Sequence, residues 1–330
     1  MLVCGALLLV RSLLKLQDLE TGVRIENVVT MSADLPLGRY ATPEKAALFY
    51  QAITQRLRST PGVSKVGIST YLPLEWISNG EAMQVAGFEK LVRVWFKRVD
   101  PGYFSALGIP VLRGRGITGR DLRGAPRIVV INQALAAQLA QAAGMKNPIG
   151  KTVRLSSVEY AKPEPLMTEV QIAGIIRSER TASPGSPDPA VVYVPLAQAP
   201  SQHVKLLVRT NGAIAGVLPA IRDAVREIDP DLPLGDVITM GRVRDRTLSF
   251  ASRPAWLIGA FAGIAVLLAA IGLYGVISHS VMQRRREFGI CIALGARSGD
   301  LISNVLGSAL AMVVAGLVFG LLGVFALTRV

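Results

Sequence analysis

Two long uncharged stretches near the carboxyl end constrain the fold of this chain most. Neither Ala255–Met282 nor Leu301–Leu327 contains Asp, Glu, Lys or Arg. A membrane-spanning helix needs about 20 consecutive apolar residues, so both stretches are long enough to cross a bilayer. The sequence therefore predicts transmembrane helices at residues 251–282 and 301–328. Pairs of small residues that allow close helix packing occur in both: Gly259 with Gly263, and Gly316 with Gly320.

A short basic loop, residues 283–300, separates the two stretches and sets their orientation. It carries Arg284, Arg285 and Arg286 directly after the first stretch. Short loops rich in Lys and Arg stay in the cytoplasm, whereas long domains cross the membrane largely regardless of charge. The loop is therefore predicted to be cytoplasmic, and residues 16–250 are predicted to lie on the opposite side.

The amino-terminal stretch is also apolar, but it is shorter. Met1–Val10 is followed by Arg11 and Lys15, which is too short a run for a complete span. It lacks the positively charged start and the small-residue cleavage site of a signal peptide. We interpret residues 1–15 as the end of a first transmembrane helix whose front half is missing from this chain.

The charge distribution argues against nucleic-acid binding despite a net charge of +13. Acidic and basic side chains are interspersed in residues 16–250, and no basic helix with interleaved aromatic residues occurs there. Zinc-finger and RNP-like patterns are also absent from the sequence. The two cysteines, Cys4 and Cys291, lie far from the middle of the chain, so no disulfide framework is expected in the large domain.

The large domain is predicted to be mixed α and β, with two β-α-β units. In the first unit, Thr42 is a suitable helix cap and Pro43 suits the first helical position. The first unit comprises a strand at 27–35, a helix from 43 that ends at Pro61-Gly62, and a strand at 63–71. The second unit comprises a strand at 205–209, a helix from about 213 to 228, and a strand at 237–240.

The two units are expected to lie together, with the residues between them forming an inserted β-rich lobe. Strand-like segments of the insertion are 92–99, 152–155 and 169–176, and one helix is predicted at 133–143 with Asn132 as its cap. The predicted fold class is therefore an α+β domain attached to an α-helical transmembrane region. One lobe comprises 16–82 and 190–250, and the insertion comprises 83–189.

No enzymatic or cofactor motif is found in the sequence. Walker A, GxSxG, HExxH and paired-cysteine patterns do not occur, so no metal, cofactor or catalytic site is predicted. Gly114, Gly116 and Gly119 match the dinucleotide fingerprint by letter, but the Gly and Pro in 120–126 prevent the helix that a pyrophosphate requires. We interpret them as a glycine-rich turn between strands. His203 is expected at the surface, and His279 near the cytoplasmic end of its span.

The loop between the spans suggests contact with another protein. A positive anchor explains its three arginines but does not explain Glu287 or the apolar run Phe288–Leu294. Apolar residues exposed to the cytoplasm need a partner that buries them. The sequence therefore favours docking of a soluble cytoplasmic protein on this loop over a simple membrane anchor.

Residues 267–296, LLAAIGLYGVISHSVMQRRREFGICIALGA, closely resemble the signature of FtsX-like, MacB-type ABC transporter permeases. In that family a GLYGV membrane helix leads to a loop of the form R-x-x-E-I-G-I-R-x-A-L-G-A. Segments of the large domain resemble the family's periplasmic core domain. They are PGVSKVGISTYLPL (61–74), VDPGYFSALGIPVLRGRGIT (99–118), VVINQALA (129–136), NPIGKTVRL (147–155) and IDPDLPL (228–234).

The resemblance implies a porter-like lobe made of the two β-α-β units, and a multi-pass location in the bacterial inner membrane. It implies a cytoplasmic ABC ATPase partner that hydrolyses ATP, a second permease copy or half, membrane lipid contacts and a periplasmic adaptor. The implied ATPase-coupling loop comprises Arg284, Arg285, Arg286, Glu287, Phe288, Gly289, Ala293, Leu294, Gly295 and Ala296.

Two departures from the family pattern bear on these expectations. Cys291 stands where the family usually has Arg, and Phe288 stands for Ile, and loss of the cation is expected to weaken docking on an acidic partner surface. The family has four spans in each subunit, so this chain is expected to be a fragment, or half of a duplicated permease without a fused ATPase.

The predicted function is that of a non-enzymatic permease subunit that couples cytoplasmic ATPase motion to movement of a periplasmic domain, for export or extraction of a substrate. The main alternative is a non-transporting envelope scaffold that uses the same mechanics to regulate a periplasmic hydrolase. An inert remnant is a third reading.

Overall fold

Strands and helices alternate at both ends of the large domain, as their sequence patterns predict. The structure is a computed structural model, and it describes residues 22–75, 80–85, 88, 90–158, 165–179, 188–235, 237–283 and 316. The strands are β1 (Val28–Asp34), β2 (Val63–Ser69), β3 (Gly80–Val85), β4 (Val92–Val99), β5 (Val111–Gly114), β6 (Ile128–Asn132), β7 (Thr152–Val158), β8 (Pro165–Ile176), β9 (Val191–Pro195), β10 (His203–Thr210) and β11 (Ile238–Thr239). The helices are α1 (Pro43–Arg58), α2 (Tyr103–Leu107), α3 (Gln133–Ala142), α4 (Ile214–Ile228) and α5 (Met240–Gln283).

Helix α1 begins where the sequence predicts. Thr42 has extended backbone geometry, and its side-chain oxygen accepts a hydrogen bond from the backbone nitrogen of Lys45 at 3.4 Å. This bond satisfies one of the backbone donors that every helix start leaves without an internal partner. The buried face of the helix consists of Ala46, Phe49, Tyr50, Ile53, Thr54 and Leu57.

The two β-α-β units share one antiparallel sheet in the order β11-β1-β10-β2. Strand β1 pairs with β10 along its full length, from Val28 opposite Arg209 to Asp34 opposite His203. Side chains of α1 and α4, such as Ile53 and Ile221, share one buried core with residues of this sheet. Through this pairing the two units lie side by side, in the split β-α-β arrangement.

Six strands between the two units close into a ring. The pairing runs β4-β3-β7-β8-β6-β9, and β9 then pairs with β4 in parallel, from Trp95 opposite Val191 to Val99 opposite Pro195. Closure leaves none of these strands with a free edge for pairing with another chain. All six strands, together with Leu135 and Leu139 of α3, contribute to one buried core.

The insertion contains more regular structure than the sequence patterns indicated. The predicted strand at 92–99 and the predicted helix after Asn132 are confirmed, and the Asn132 side chain accepts a hydrogen bond from Leu135 N at 3.0 Å. Strands β3, β5, β6 and β9 and the short helix α2 were not predicted. Strand β9 follows the predicted boundary at residue 190, yet it pairs with ring strands.

A further core joins the ring to the four-stranded sheet. Helix α2 contributes Tyr103, Phe104 and Leu107, and Tyr193 of β9 packs with them. Strands β2 and β4 pair only at Ser69 opposite Val99. Because so few backbone pairs connect the two sheets, side-chain packing in this core carries most of their connection.

The glycine motif at 114–119 forms a turn, as predicted, since no helix follows it. Gly114 ends β5 with φ +70°, and a Cβ added there would lie 2.4 Å from the oxygen of Ala173. On the facing strand, a Cβ at Gly174 would lie 2.1 Å from the oxygen of Arg115. Glycine at these positions therefore serves the close approach of two backbones, not the binding of a phosphate.

Substitution of Gly174 by alanine tests this packing. We expect Gly174→Ala to lower the free energy of unfolding by about 1–3 kcal/mol, because a backbone segment must move to admit the methyl group. Gly119→Ala is the matched control, since no atom lies within 4 Å of the added Cβ, and its effect should stay within about 0.5 kcal/mol. Urea unfolding of the full chain in detergent measures both, and equal effects would contradict this account.

Candidate functional site

The predicted coupling loop follows α5 directly. Gln283 is the last residue of that helix, and its Nε2 lies 3.0 Å from Nε2 of His279. The ten loop residues predicted to contact an ATPase, from Arg284 to Ala296, lie outside the described residues. Gly320 and most of the second predicted span also lie outside them, and the only residue described there is Gly316, which is helical.

Helix α5 contains a segment that is suited to a membrane. Residues Gly259–Gln283, 25 in number, are long and apolar enough to cross a bilayer by length and composition. None of this segment is buried, and large side chains such as Phe261, Leu268 and Tyr274 are more than 60% exposed. A helix that is apolar on all sides and unburied needs a lipid or protein environment. Gly259 and Gly263 have no atom within 4 Å of an added Cβ, so both sites are open to a neighbour.

The first two turns of α5 are anchored in the α/β domain. Met240 and Val243 are buried in the core that also contains Tyr103. The Thr247 hydroxyl donates a hydrogen bond to the Leu74 oxygen at 2.9 Å. The helix therefore begins 15 residues before the uncharged stretch at Ala255 and continues through Pro254, whereas the sequence placed its start at about 251.

A buried charged cluster links four separate segments of the large domain. Lys97 Nζ donates to Glu179 Oε1 at 2.5 Å, Tyr103 Oη donates to Glu179 Oε2 at 2.6 Å, and Tyr193 Oη donates to Glu179 Oε1 at 2.8 Å. Lys97 and Glu179 are 1% and 0% exposed. Lys97 Nζ also donates to the Leu72 oxygen at 3.4 Å. Both charges are therefore paired and hydrogen-bonded, as buried charges must be.

The two tyrosines remain protonated donors to this carboxylate. Burial, followed by the negative charge of Glu179, raises the pKa of Tyr103 and the pKa of Tyr193 well above their usual value. A group of this kind can hold β4, α2, β9 and the segment after β8 in fixed positions. It has no exposed member, so it is a structural cluster and not a reaction site. Among the residues that the structure describes, no group of His, Cys, Asp and Glu is arranged to bind a metal.

Asp100 is a second buried carboxylate, at the end of β4. Its Oδ1 accepts a hydrogen bond from Ile68 N at 2.6 Å. Burial raises the pKa of Asp100 to about 6, although hydrogen bonds from the backbone of Ile68, Gly102 and Tyr103 and the charge of Arg58 oppose the change. Asp100 thus connects β2 to the turn before α2, at the junction of the two sheets.

Stability should depend on pH through Asp100. Because its pKa is higher in the folded state than the ordinary 3.8, the contribution of this group is fully present below pH 3.8 and is lost as the pH rises through about 6. A shift of about two units corresponds to ~3 kcal/mol. We expect the stability of Asp100→Asn relative to wild type to rise by up to that amount between pH 4 and pH 7, measured by urea unfolding. Parallel curves for the two proteins would contradict the assignment.

The fold and the apolar helix define a class of protein: one with a large α/β domain and a helix suited to a membrane. The family model for the MacB-like periplasmic core domain matches residues 1–228 of the sequence. The family model for the FtsX-like permease C-terminal region matches residues 259–330. The chain therefore belongs to the MacB-like, FtsX-like family of ABC transporter permeases, as its motifs indicated.

Two curated relatives show how much of a full protein this chain represents. It is 28% identical over 234 residues to the macrolide export ATP-binding/permease protein MacB of Acinetobacter baylyi, which covers 68% of this chain and 33% of that protein. It is 23% identical over 301 residues to the uncharacterized ABC transporter permease YknZ of Bacillus subtilis. This alignment covers 89% of this chain and 69% of YknZ. The chain thus spans about a third of the length of that MacB.

Two solved structures align with the chain at low sequence identity. The periplasmic region of MacB from Actinobacillus actinomycetemcomitans aligns with a TM-score of 0.42 and 12% identity, covering 70% of this chain and 97% of that one. The extracellular domain of YknZ from Gram-positive bacteria aligns with a TM-score of 0.40 and 17% identity. This alignment covers 64% of this chain and 100% of that domain.

Sequence reasoning missed the charged cluster for a definable reason. Lys97 alternates with Arg93 on one side of β4, and Arg93 is exposed, so the period-2 pattern predicts a solvent-facing lysine. The partners Tyr103, Glu179 and Tyr193 are 6, 82 and 96 residues away along the chain, and only the folded topology places them over that face.

Proposed function

We propose that this chain is the permease subunit of an ABC-type export or extraction system. In this proposal a cytoplasmic ATPase docks on residues 283–300, and its motion is passed through the membrane helices to the periplasmic domain. The observation that carries the proposal is the direct succession of the apolar segment Gly259–Gln283 and a basic loop that contains Glu287, within a region matched by the FtsX-like permease model.

The names of the relatives support export as the purpose. Relatives are named for macrolide export and, in three Pseudomonas species, for pyoverdine export. Their names also carry an ATP-binding function, whereas this sequence contains no Walker A motif. We infer that ATP is hydrolysed by an ABC ATPase outside these 330 residues and that the chain works in the bacterial inner membrane as a multi-pass protein, together with a second permease copy or half.

Association with an ATPase is the test of this proposal. The chain is co-expressed with candidate ABC ATPases, and co-purification is measured without nucleotide and with a non-hydrolysable ATP analogue. We expect one ATPase to be retained in at least one nucleotide state. If no candidate ATPase co-purifies in any nucleotide state, the proposed coupling to an ATPase is contradicted. A scaffold that works without an ATPase would then be favoured.

A further inference from the structure

A cleft of about 500 Å³ lies between helix α1, the loop after β5 and the chain that follows β9. One face of α1 forms a wall over three turns, from Ala47 to Arg58. Loop residues between Ile117 and Leu122 form a second wall, and the ends of β4 and β9 contribute Asp100 and Leu196. This volume is within the range of sites that accept small molecules, roughly 300–1,000 Å³.

The cleft presents accessible apolar surface on its walls. Leu122 lines the cleft and is 57% exposed, and Ala47, Pro101 and Ala197 are also accessible there. No atom lies within 4 Å of a Cβ added to Gly119, so the loop leaves open space beside the helix. The body of an apolar ligand can therefore contact both walls.

The loop wall is held in place by side-chain contacts. Asp121, which is 5% exposed, accepts hydrogen bonds from Arg115 Nη1 and Nη2, each at 2.7 Å, and from Thr118 N at 2.8 Å. An ion pair between Arg123 and Glu44 joins the loop to α1. The cleft is therefore largely formed without a ligand, as small-molecule sites usually are.

The charges at the cleft are balanced by opposite charges. Asp121 is paired with Arg115. Burial raises the pKa of the Asp100 carboxyl to about 6, and the positive charge of Arg58 acts against this change. A Cβ added to Gly102 would lie 3.1 Å from Arg58 Nη2, so this guanidinium lies beside the turn that follows Asp100. A charged ligand would be taken out of water without a free counter-charge, which is costly, whereas an uncharged ligand needs none.

Thr54 supplies a polar group that the protein does not use. It lies on the face of α1 that lines the cleft, and it is 8% exposed. A threonine inside a helix can donate to the carbonyl four residues earlier, as Thr247 does to Val243. Within the described ranges of the chain, no hydrogen bond involves the Thr54 hydroxyl. Since a largely buried hydroxyl without a partner is unfavourable, a ligand that bonds to this group gains affinity.

We infer that this cleft binds an uncharged amphiphile, with its apolar body against Ala47 and Leu122 and a hydroxyl or carbonyl group bonded to Thr54. Gln51 and Gln55 lie on the same face of α1 and offer neutral hydrogen-bonding groups to further hydroxyls of the ligand. The inference goes beyond the proposed function and does not depend on the binding of an ATPase.

Titration with hexyl glucoside tests the inference. The full chain in nanodiscs is titrated by calorimetry, and the heat measured with empty nanodiscs is subtracted. We expect hexyl glucoside to bind at one saturable site. Glucose, which lacks the apolar tail, should bind at least tenfold more weakly, and so should hexanoate and hexyltrimethylammonium, which carry a charge. The inference is overturned if hexyl glucoside does not bind, or if either charged compound binds as tightly.

Substitutions on α1 locate the site. Ala47→Phe should weaken the binding of hexyl glucoside at least tenfold, because the ring occupies the cleft. Leu48→Phe is the matched control, since Leu48 is the next residue of α1 but is not part of the lining and is 65% exposed. It should leave the affinity unchanged. The inference is overturned if Ala47→Phe binds hexyl glucoside as tightly as wild type does.

A second pair of variants tests the hydroxyl and does not depend on the folding of Ala47→Phe. Thr54→Val keeps the shape of the side chain and removes the hydroxyl, so it should weaken binding about two- to tenfold, the value of one hydrogen bond. Thr54→Ser keeps the hydroxyl and should keep most of the affinity. Equal affinities of Thr54→Val and Thr54→Ser would overturn the assignment of Thr54 to the ligand.

Discussion

Replacement of Lys97 by methionine is expected to lower the free energy of unfolding by about 3–5 kcal/mol. The variant leaves the carboxylate of Glu179 buried, at 0% exposure, without its cation. The hydroxyls of Tyr103 and Tyr193 still donate to the carboxylate, but they supply no counter-charge. Urea unfolding of the full chain in detergent, followed by tryptophan fluorescence, measures the loss.

The double variant Lys97→Met/Glu179→Gln distinguishes charge from packing. Glutamine keeps the size of Glu179 and removes the uncompensated charge, so most of the lost stability should return. Removal of both members of a buried ion pair is often nearly neutral, whereas removal of one is costly. If the double variant is as unstable as Lys97→Met alone, the ion pair is not the reason for the loss.

Leu294→Asp is expected to reduce the amount of co-purified ATPase at least tenfold. In the proposed coupling loop, Leu294 ends the apolar run that a partner buries, and an unpaired carboxylate in such an interface is strongly unfavourable. A tenfold loss requires only about 1.4 kcal/mol. Glu287→Ala removes a single charged contact and should cause a smaller loss. Both are measured by the ratio of ATPase to permease after affinity purification.

Leu48→Asp is the control for that experiment. Leu48 lies on α1 and is 65% exposed, so the same chemical change is made on the large domain, far along the sequence from the loop. It should leave ATPase retention unchanged. Equal retention by wild type and Leu294→Asp would show that the apolar run does not contact the ATPase.

Local patterns predicted the elements that local chemistry determines. The start of α1 follows from Thr42 and Pro43, and the helix after Asn132 follows from the cap at that residue. Strand β4 alternates strongly enough to be placed at its observed limits. These features depend on neighbours within four residues, which a single sequence displays directly.

The closed ring could not be predicted in the same way. It depends on β9 pairing with β4 almost 100 residues earlier in the chain. All five residues of β9 and of β6 are buried, so neither strand shows the alternation that marks a half-exposed strand. The coupling loop rests on sequence and stays a prediction.

Labelling of Cys291 from each side of the membrane tests the coupling-loop proposal most directly. The chain has two cysteines, so Cys4→Ser leaves Cys291 as the only thiol, in the middle of the loop. A membrane-impermeant maleimide should label it in inside-out vesicles and not in right-side-out vesicles, and a bound ATPase should slow the reaction. Labelling of Cys291 only in right-side-out vesicles would contradict the proposal that an ATPase binds this loop. A labelling rate that stays the same with every ATPase would also contradict it.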